Sequence, residues 1–211
     1  MRADLRMWLE QSATAQGQWE PIAFELAFGL RRDPANDPRS VEAEVTLAEG
    51  WRLRGIVDLV ERRRGGAAAR GGAAAGGAPD LRVTDYKTGR DYTKRNLVVG
   101  GGEMLQPVLY GLAVEHLLAA RVVESRLYYC TRAGGFSERL VTLSTEARSR
   151  GPEVLAVIDR AIAAGFLPPA PRARACGICD FRDVCGPHEE IRIKLKDQAR
   201  LDELSALRDW P

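Results

Sequence analysis

Gly55-Ile56-Val57-Asp58-Leu59-Val60 and, further on, Leu81-Arg82-Val83-Thr84-Asp85-Tyr86-Lys87-Thr88-Gly89 are the stretches that decide how this chain is read. The first is an apolar strand with an acid inside it. A carboxylate among such neighbours is costly to bury unless a cation or a metal pairs with it. The second is a short strand closing on Lys-Thr-Gly. Asp85 and Lys87 are two positions apart, so in a strand both side chains leave the same face. An acid and an amine pointing together, beside a strand that carries another acid, suit metal-assisted hydrolysis of a phosphodiester. Two carboxylates hold Mg²⁺, a hard cation that prefers oxygen. The metal polarises the phosphate and lowers the pKa of a bound water. An amine orients that water or stabilises the charge developing on phosphorus.

A plain surface ion pair is the competing explanation. Lysine usage argues against it. Of 31 basic residues only Lys87, Lys94, Lys194 and Lys196 are lysines. The lysine at 87 is therefore an exception to an arginine-rich composition, placed where a compact ammonium differs chemically from a guanidinium.

Around these strands the periodicities predict an α/β fold. Strands are expected over Pro21–Leu30, Val41–Ala48, Trp51–Val60, Leu81–Tyr86, Val122–Cys130 and Phe136–Leu143, with a hairpin turn near Glu49-Gly50. Helices are expected over Glu103–Ala120, Thr145–Ala164 and, with mixed charge, roughly Glu189–Leu207. Gly65–Pro79 is almost wholly Gly and Ala. Such a segment offers little side chain to offset its ordering entropy and reads as a flexible loop insertion, 65–79. Pro168, Pro169 and Pro171 mark a boundary near 170, giving a core at 1–170 and a cysteine-bearing tail at 171–211.

On the helix after the second strand, Gln106 and Tyr110 are four apart and so share a face. The apolar stripe of Leu105, Val108, Leu109 and Leu112 needs neither. Gly-Ile-Val-Asp, Asp-Tyr-Lys-Thr-Gly and Gln-x-x-x-Tyr together resemble the RecB-type branch of the PD-(D/E)XK nucleases, over about residues 20 to 186. The resemblance implies a restriction-endonuclease-like core, a central mixed sheet flanked by helices, acting on DNA in recombination and double-strand-break repair with a helicase partner. It implies Asp58 and Asp85 as Mg²⁺ or Mn²⁺ ligands, the Tyr86 backbone carbonyl as a further ligand, and Lys87 as the catalytic amine. It makes Gln106 and Tyr110 DNA-binding residues. No Gly-x-x-x-x-Gly-Lys-Ser/Thr loop is present, so an ATPase is expected elsewhere. The branch usually carries one more acidic or histidine ligand ahead of the first strand. Met1 to Glu20 holds no histidine, and Glu10, Glu20 and Glu25 fit no such motif. The expectation is a chain lacking the family's N-terminal portion. A catalytically impaired module that binds DNA or scaffolds a repair complex is the alternative.

Cys176-x-x-Cys179-x5-Cys185 gathers three of the four cysteines within ten residues. With no export signal, that spacing argues for a soft metal rather than disulfides. Spacing alone does not separate zinc from an iron–sulfur cluster. The position behind a RecB-like core resembles the iron–sulfur staple of AddB-type helicase–nucleases, which implies a [4Fe-4S] cluster with an unassigned fourth ligand. Cys130 reads as a small buried hydrophobe.

The 211 residues are 45% hydrophobic and 28% charged, with a net charge of +2. That is enough for a real core, and it excludes a disordered tail, a collagen and a coiled coil. No apolar run reaches the roughly 18 residues of a membrane span. The polar, acidic first 20 residues do not read as a signal peptide, and a cytoplasmic location is expected. His116 and His188 read as surface or packing residues. Arg62-Arg63-Arg64 reads as a solvated charge run, and Tyr92, Tyr128 and Tyr129 as packing rather than base-stacking groups.

Overall fold

The computed structural model describes residues 2–14, 17–64, 79–93 and 96–211. The Gly/Ala insertion expected at 65–79 lies, but for Pro79, outside them. The chain divides into two compact units, Met1–Pro152 with Trp210–Pro211, and Glu153–Asp209.

The first unit is a mixed five-stranded sheet flanked by helices. In chain order come α1 (Arg2–Thr14), β1 (Trp19–Phe28), β2 (Val45–Thr46), β3 (Arg52–Leu53), β4 (Gly55–Arg63), β5 (Leu81–Lys87), α2 (Gln106–Leu118), β6 (Val122–Tyr129) and β7 (Glu138–Thr142). The sheet order is β1-β4-β5-β6-β7. All neighbours are antiparallel except β5 and β6, which run parallel and are joined through α2. A parallel pair needs such a crossover, because its strands start at the same end. Leu26, Phe28, Val57, Val60, Leu81 and Val83 of the sheet form a buried cluster with Ala113 and Val114 of α2. Pro107 falls at the start of α2, where its missing N–H would have had no helical partner.

Several sequence expectations shift. The strand at 41–48 shrinks to Val45–Thr46, paired with Arg52–Leu53 in a separate two-stranded hairpin. Ahead of it Val41 makes a lone parallel bridge to Phe28, and the Val41 and Ala43 carbonyls both take the Gly29 N–H. The segment is thus tied to the end of β1 instead of pairing along its length. The turn falls where expected, with Gly50 at φ 85°. The strand at 51–60 divides in two at Arg54. Helix α1 escapes the periodicity analysis because its Leu5 and Leu9 are exposed; it is Trp8 that packs, edge-on against Tyr86.

The second unit continues the helix α3 (Thr145–Ala163) and holds the short helices α4 (Arg182–Cys185), α5 (Glu189–Arg192) and α6 (Asp202–Arg208). The single helix expected from about Glu189 to Leu207 is broken. Lys196 is extended (φ −76°, ψ 161°), its ammonium drawn to the Glu189 carboxylate and the Pro169 carbonyl. The Gln198 amide donates to the carbonyls of Ile193 and Lys196, which a continuing helix would have used.

Candidate active site

The site is built on β5, whose residues alternate between two faces. Val83 is buried in the core, and Asp85 and Lys87 follow on that same face at the strand's C-terminal end. The i, i+2 spacing closes into an ion pair, Lys87 Nζ to Asp85 Oδ2 at 2.7 Å. Lys87 Nζ also donates to Gln106 Oε1 of α2 at 2.7 Å, and Gln106 Nε2 lies 3.5 Å from Tyr110 Oη. The Gln106–Tyr110 spacing therefore does share a face, and that face meets the lysine. Tyr110 is not spare to the core, since its ring packs edge-on against Phe28.

Asp58 joins from β4. The register pairs Leu59 with Thr84, so one step further Asp58 comes opposite Asp85. Its Oδ2 accepts the main-chain N–H of Tyr86 at 2.7 Å. Tyr86 thus lies within the site through its backbone, while its ring packs with Trp8 and Tyr128. On β1 the pairs Phe24–Leu59 and Leu26–Val57 leave Glu25 opposite Asp58. Glu25 has φ 51°, a conformation rare for a non-glycine residue and usually held in place by its surroundings. Only the pairing of β1 with β4 shows this position; no spacing in the sequence does.

The electrostatics are those of crowded acids. Burial pushes the Asp85 carboxyl up and the Asp58 charge adds to this, although Lys87 opposes both. Burial likewise raises Glu25, with Asp58 again contributing. Asp85 is 8% exposed, and its buried Oδ2, though in charge contact with Lys87, makes no aligned hydrogen bond. A buried acceptor with capacity left over, among carboxylates that repel one another, fits a hard divalent cation. Mg²⁺ needs only one or two carboxylates because it keeps several waters. Asp58 and Asp85 are the carboxylates that would face such an ion. Among the described residues no three His, Cys, Asp or Glu side chains are gathered as a ligand cage.

Supports surround the site. Behind β5, Glu61 is buried and takes Arg82 through two hydrogen bonds, at 2.7 and 2.8 Å, with Thr84 at 2.8 Å and Arg126 at 3.4 Å. Beyond Lys87, Asp91 accepts from Thr93 N–H and Ser137 Oγ and pairs with Arg139, fixing the loop to β7. Sequence reasoning missed both groups because their partners are remote in the chain. Arg62 and Arg63 pair with Glu20 and Asp80, so the arginine run serves its own sheet. Tyr128 and Tyr129 are buried; Tyr92 and both histidines are exposed.

Cys130 is half-buried in the first unit, its S–H directed to the Lys87 carbonyl at 3.6 Å. In the second unit Cys176 and Cys185 are half-buried and Cys179 is exposed, all three as free thiols. The Glu190 carboxylate accepts the N–H groups of Arg174 and Cys176, each at 2.9 Å. Burial and the Glu190 charge push the Cys176 thiol up. The expected cluster centre is not assembled among the described residues.

Among the described residues no helix is long and apolar enough to cross a membrane. No curated protein matches the sequence. A family profile does, over residues 1–186, and it covers every strand of the sheet and each of Asp58, Asp85, Lys87, Gln106 and Tyr110. The acid pair, the lysine two residues on and the mixed sheet that presents them accord with that match: the chain belongs to the PD-(D/E)XK nuclease superfamily.

Proposed function

We propose that this chain is a metal-dependent deoxyribonuclease of the RecB-type branch, hydrolysing phosphodiester bonds as an exonuclease in recombination and double-strand-break repair. The contact chain Asp85–Lys87–Gln106, with Asp58 beside it, carries this reading. Asp58, Asp85 and the Tyr86 carbonyl hold Mg²⁺ or Mn²⁺, which when bound activates water and polarises the phosphate. Lys87 offers an N–H to the attacking water or to the charge that builds on the phosphate. Gln106 and Tyr110 line the path of the DNA strand. A helicase subunit or domain delivers the DNA end. Cys176, Cys179 and Cys185 carry a [4Fe-4S] cluster, completed by a fourth ligand, that staples the domain. Iron and sulfide analysis after anaerobic purification tests that part; one zinc and no iron would replace the cluster with a zinc site.

The deciding experiment is digestion of end-labelled single- and double-stranded DNA with Mg²⁺ or Mn²⁺, comparing the chain with Lys87→Ala. Cleavage by the parent alone supports the nuclease reading. A second reading is a DNA-binding scaffold, since Met1 to Glu20 holds no histidine to complete a set of metal ligands. DNA bound but uncut by both proteins would select it.

A further inference from the structure

We infer that Gln106, although it stands beside the proposed path of the DNA strand, is a positioning residue for Lys87, its amide aiming the ammonium rather than contacting DNA. The inference deepens the nuclease reading and rests on it. An ammonium carries three N–H donors and no acceptor, so it faces the oxygen of an amide. The 2.7 Å contact from Lys87 Nζ to Gln106 Oε1 obeys that rule and fixes which way round the amide stands. Its NH₂ must then face an acceptor, and Tyr110 Oη is there at 3.5 Å. Tyr110 is itself held by its ring contact with Phe28, so the amide is anchored to the core.

Of the three donors on Lys87, one goes to Gln106 Oε1, while the ammonium stands in charge contact with Asp85 Oδ2 at 2.7 Å. The remaining N–H donors, their directions set by the Gln106 bond and the Asp85 contact, are left to meet water or phosphate. Without Gln106 the flexible lysine stem would be tied only to Asp85. Its free donors would then sample several directions, and about 1 Å of misplacement at a reacting centre can cost on the order of a hundredfold in rate. Gln106 Oε1 is committed to this contact, and the amide NH₂ is turned to Tyr110.

The test uses the full chain, its near-isosteric Gln106→Met variant and the conservative Gln106→Glu. The first readout is competitive acetylation, followed by mass spectrometry of Lys87 against the exposed Lys194 as internal reference. Loss of one acceptor should make Lys87 react roughly tenfold faster in Gln106→Met, and the carboxylate acceptor of Gln106→Glu should restore slow labelling. Lys194 should not change. The second readout is kinetic: cleavage per bound complex falls about tenfold or more in Gln106→Met, while DNA affinity without divalent ion stays within about twofold. Unchanged Lys87 labelling in Gln106→Met would overturn the inference. So would a loss of DNA affinity matching the loss of cleavage, which would make Gln106 a DNA contact. Labelling needs no turnover, so a chain that cuts no DNA would sink the nuclease reading while the placement of Lys87 was still decided.

Discussion

A Cβ on Gly55 would stand 3.1 Å from Tyr110 Cε1 and 3.2 Å from its hydroxyl oxygen. The first residue of the Gly-Ile-Val-Asp motif therefore touches the last residue of the Gln-x-x-x-Tyr motif. The glycine serves close approach, and its φ is not positive. Two motifs far apart in the chain are parts of one packed arrangement beside Lys87. Gly55→Ala should push Tyr110 aside by a few tenths of an ångström, costing about 1 kcal/mol of stability and slowing cleavage more than stability alone would explain. Thermal melting alongside single-turnover cleavage checks this.

Lys87→Ala and Asp85→Ala should each lower DNA cleavage by on the order of a hundredfold or more while leaving the circular dichroism spectrum unchanged. Neither side chain belongs to the apolar cluster that holds the sheet on α2. Equal nuclease activity in either variant would dismiss the site.

Mn²⁺ or Mg²⁺ should raise the melting temperature of the parent protein but not that of Asp85→Asn. A ligand at a hundred times its Kd adds about 2.7 kcal/mol to the folded state. In metal-free buffer Asp85→Asn should melt no lower than the parent. Burial and the Asp58 charge hold the Asp85 carboxyl above its ordinary range, so its ionised form opposes folding at neutral pH. A metal-induced rise of equal size in both proteins would place the ion elsewhere.

Glu61→Ala should destabilise the protein by about 3–5 kcal/mol, because it strips Arg82 and Arg126 of their shared buried carboxylate. Burial alone would raise the Glu61 carboxyl, yet hydrogen bonds and charge from Arg82, Arg126 and Thr84 outweigh it and hold the group below its ordinary range. Urea unfolding at neutral pH measures the loss.

Asp91 sets an acid limit. Burial raises its carboxyl, but Ser137, Arg139 and Thr93 overcome this and bring it down from 3.8 to about 2. A folded pKa below the unfolded one means stability that is fully present above 3.8 and lost as pH falls towards about 2. The stability gap between the parent and Asp91→Asn should be flat from about pH 5 to 7 and narrow below about pH 4. A gap that grows on acidification would refute the assignment.

What could be read from the residues followed the short periods of the chain. Asp85 and Lys87 were placed on one face by an alternation that needs only the strand itself, and Gln106 and Tyr110 by one turn of helix. The hairpin at Gly50 and the proline-started helix α2 were legible for the same reason. Where the local signal was thin the reading failed. Helix α1 has no buried leucine stripe to announce it, and the mixed-charge stretch after Glu189 has side chains that bond back to the carbonyls a helix would need.

The sequence by itself determined which acid and which amine share one strand, and that a glutamine and a tyrosine stand together on the next helix. Only the tertiary structure decided that the glutamine meets the lysine, that Glu25 comes opposite Asp58, and that Glu61 gathers two arginines from neighbouring strands. Short-period relations are set by backbone geometry common to every helix and strand. Contacts across the sheet depend on strand order and register, which the whole core selects together when it buries its apolar residues.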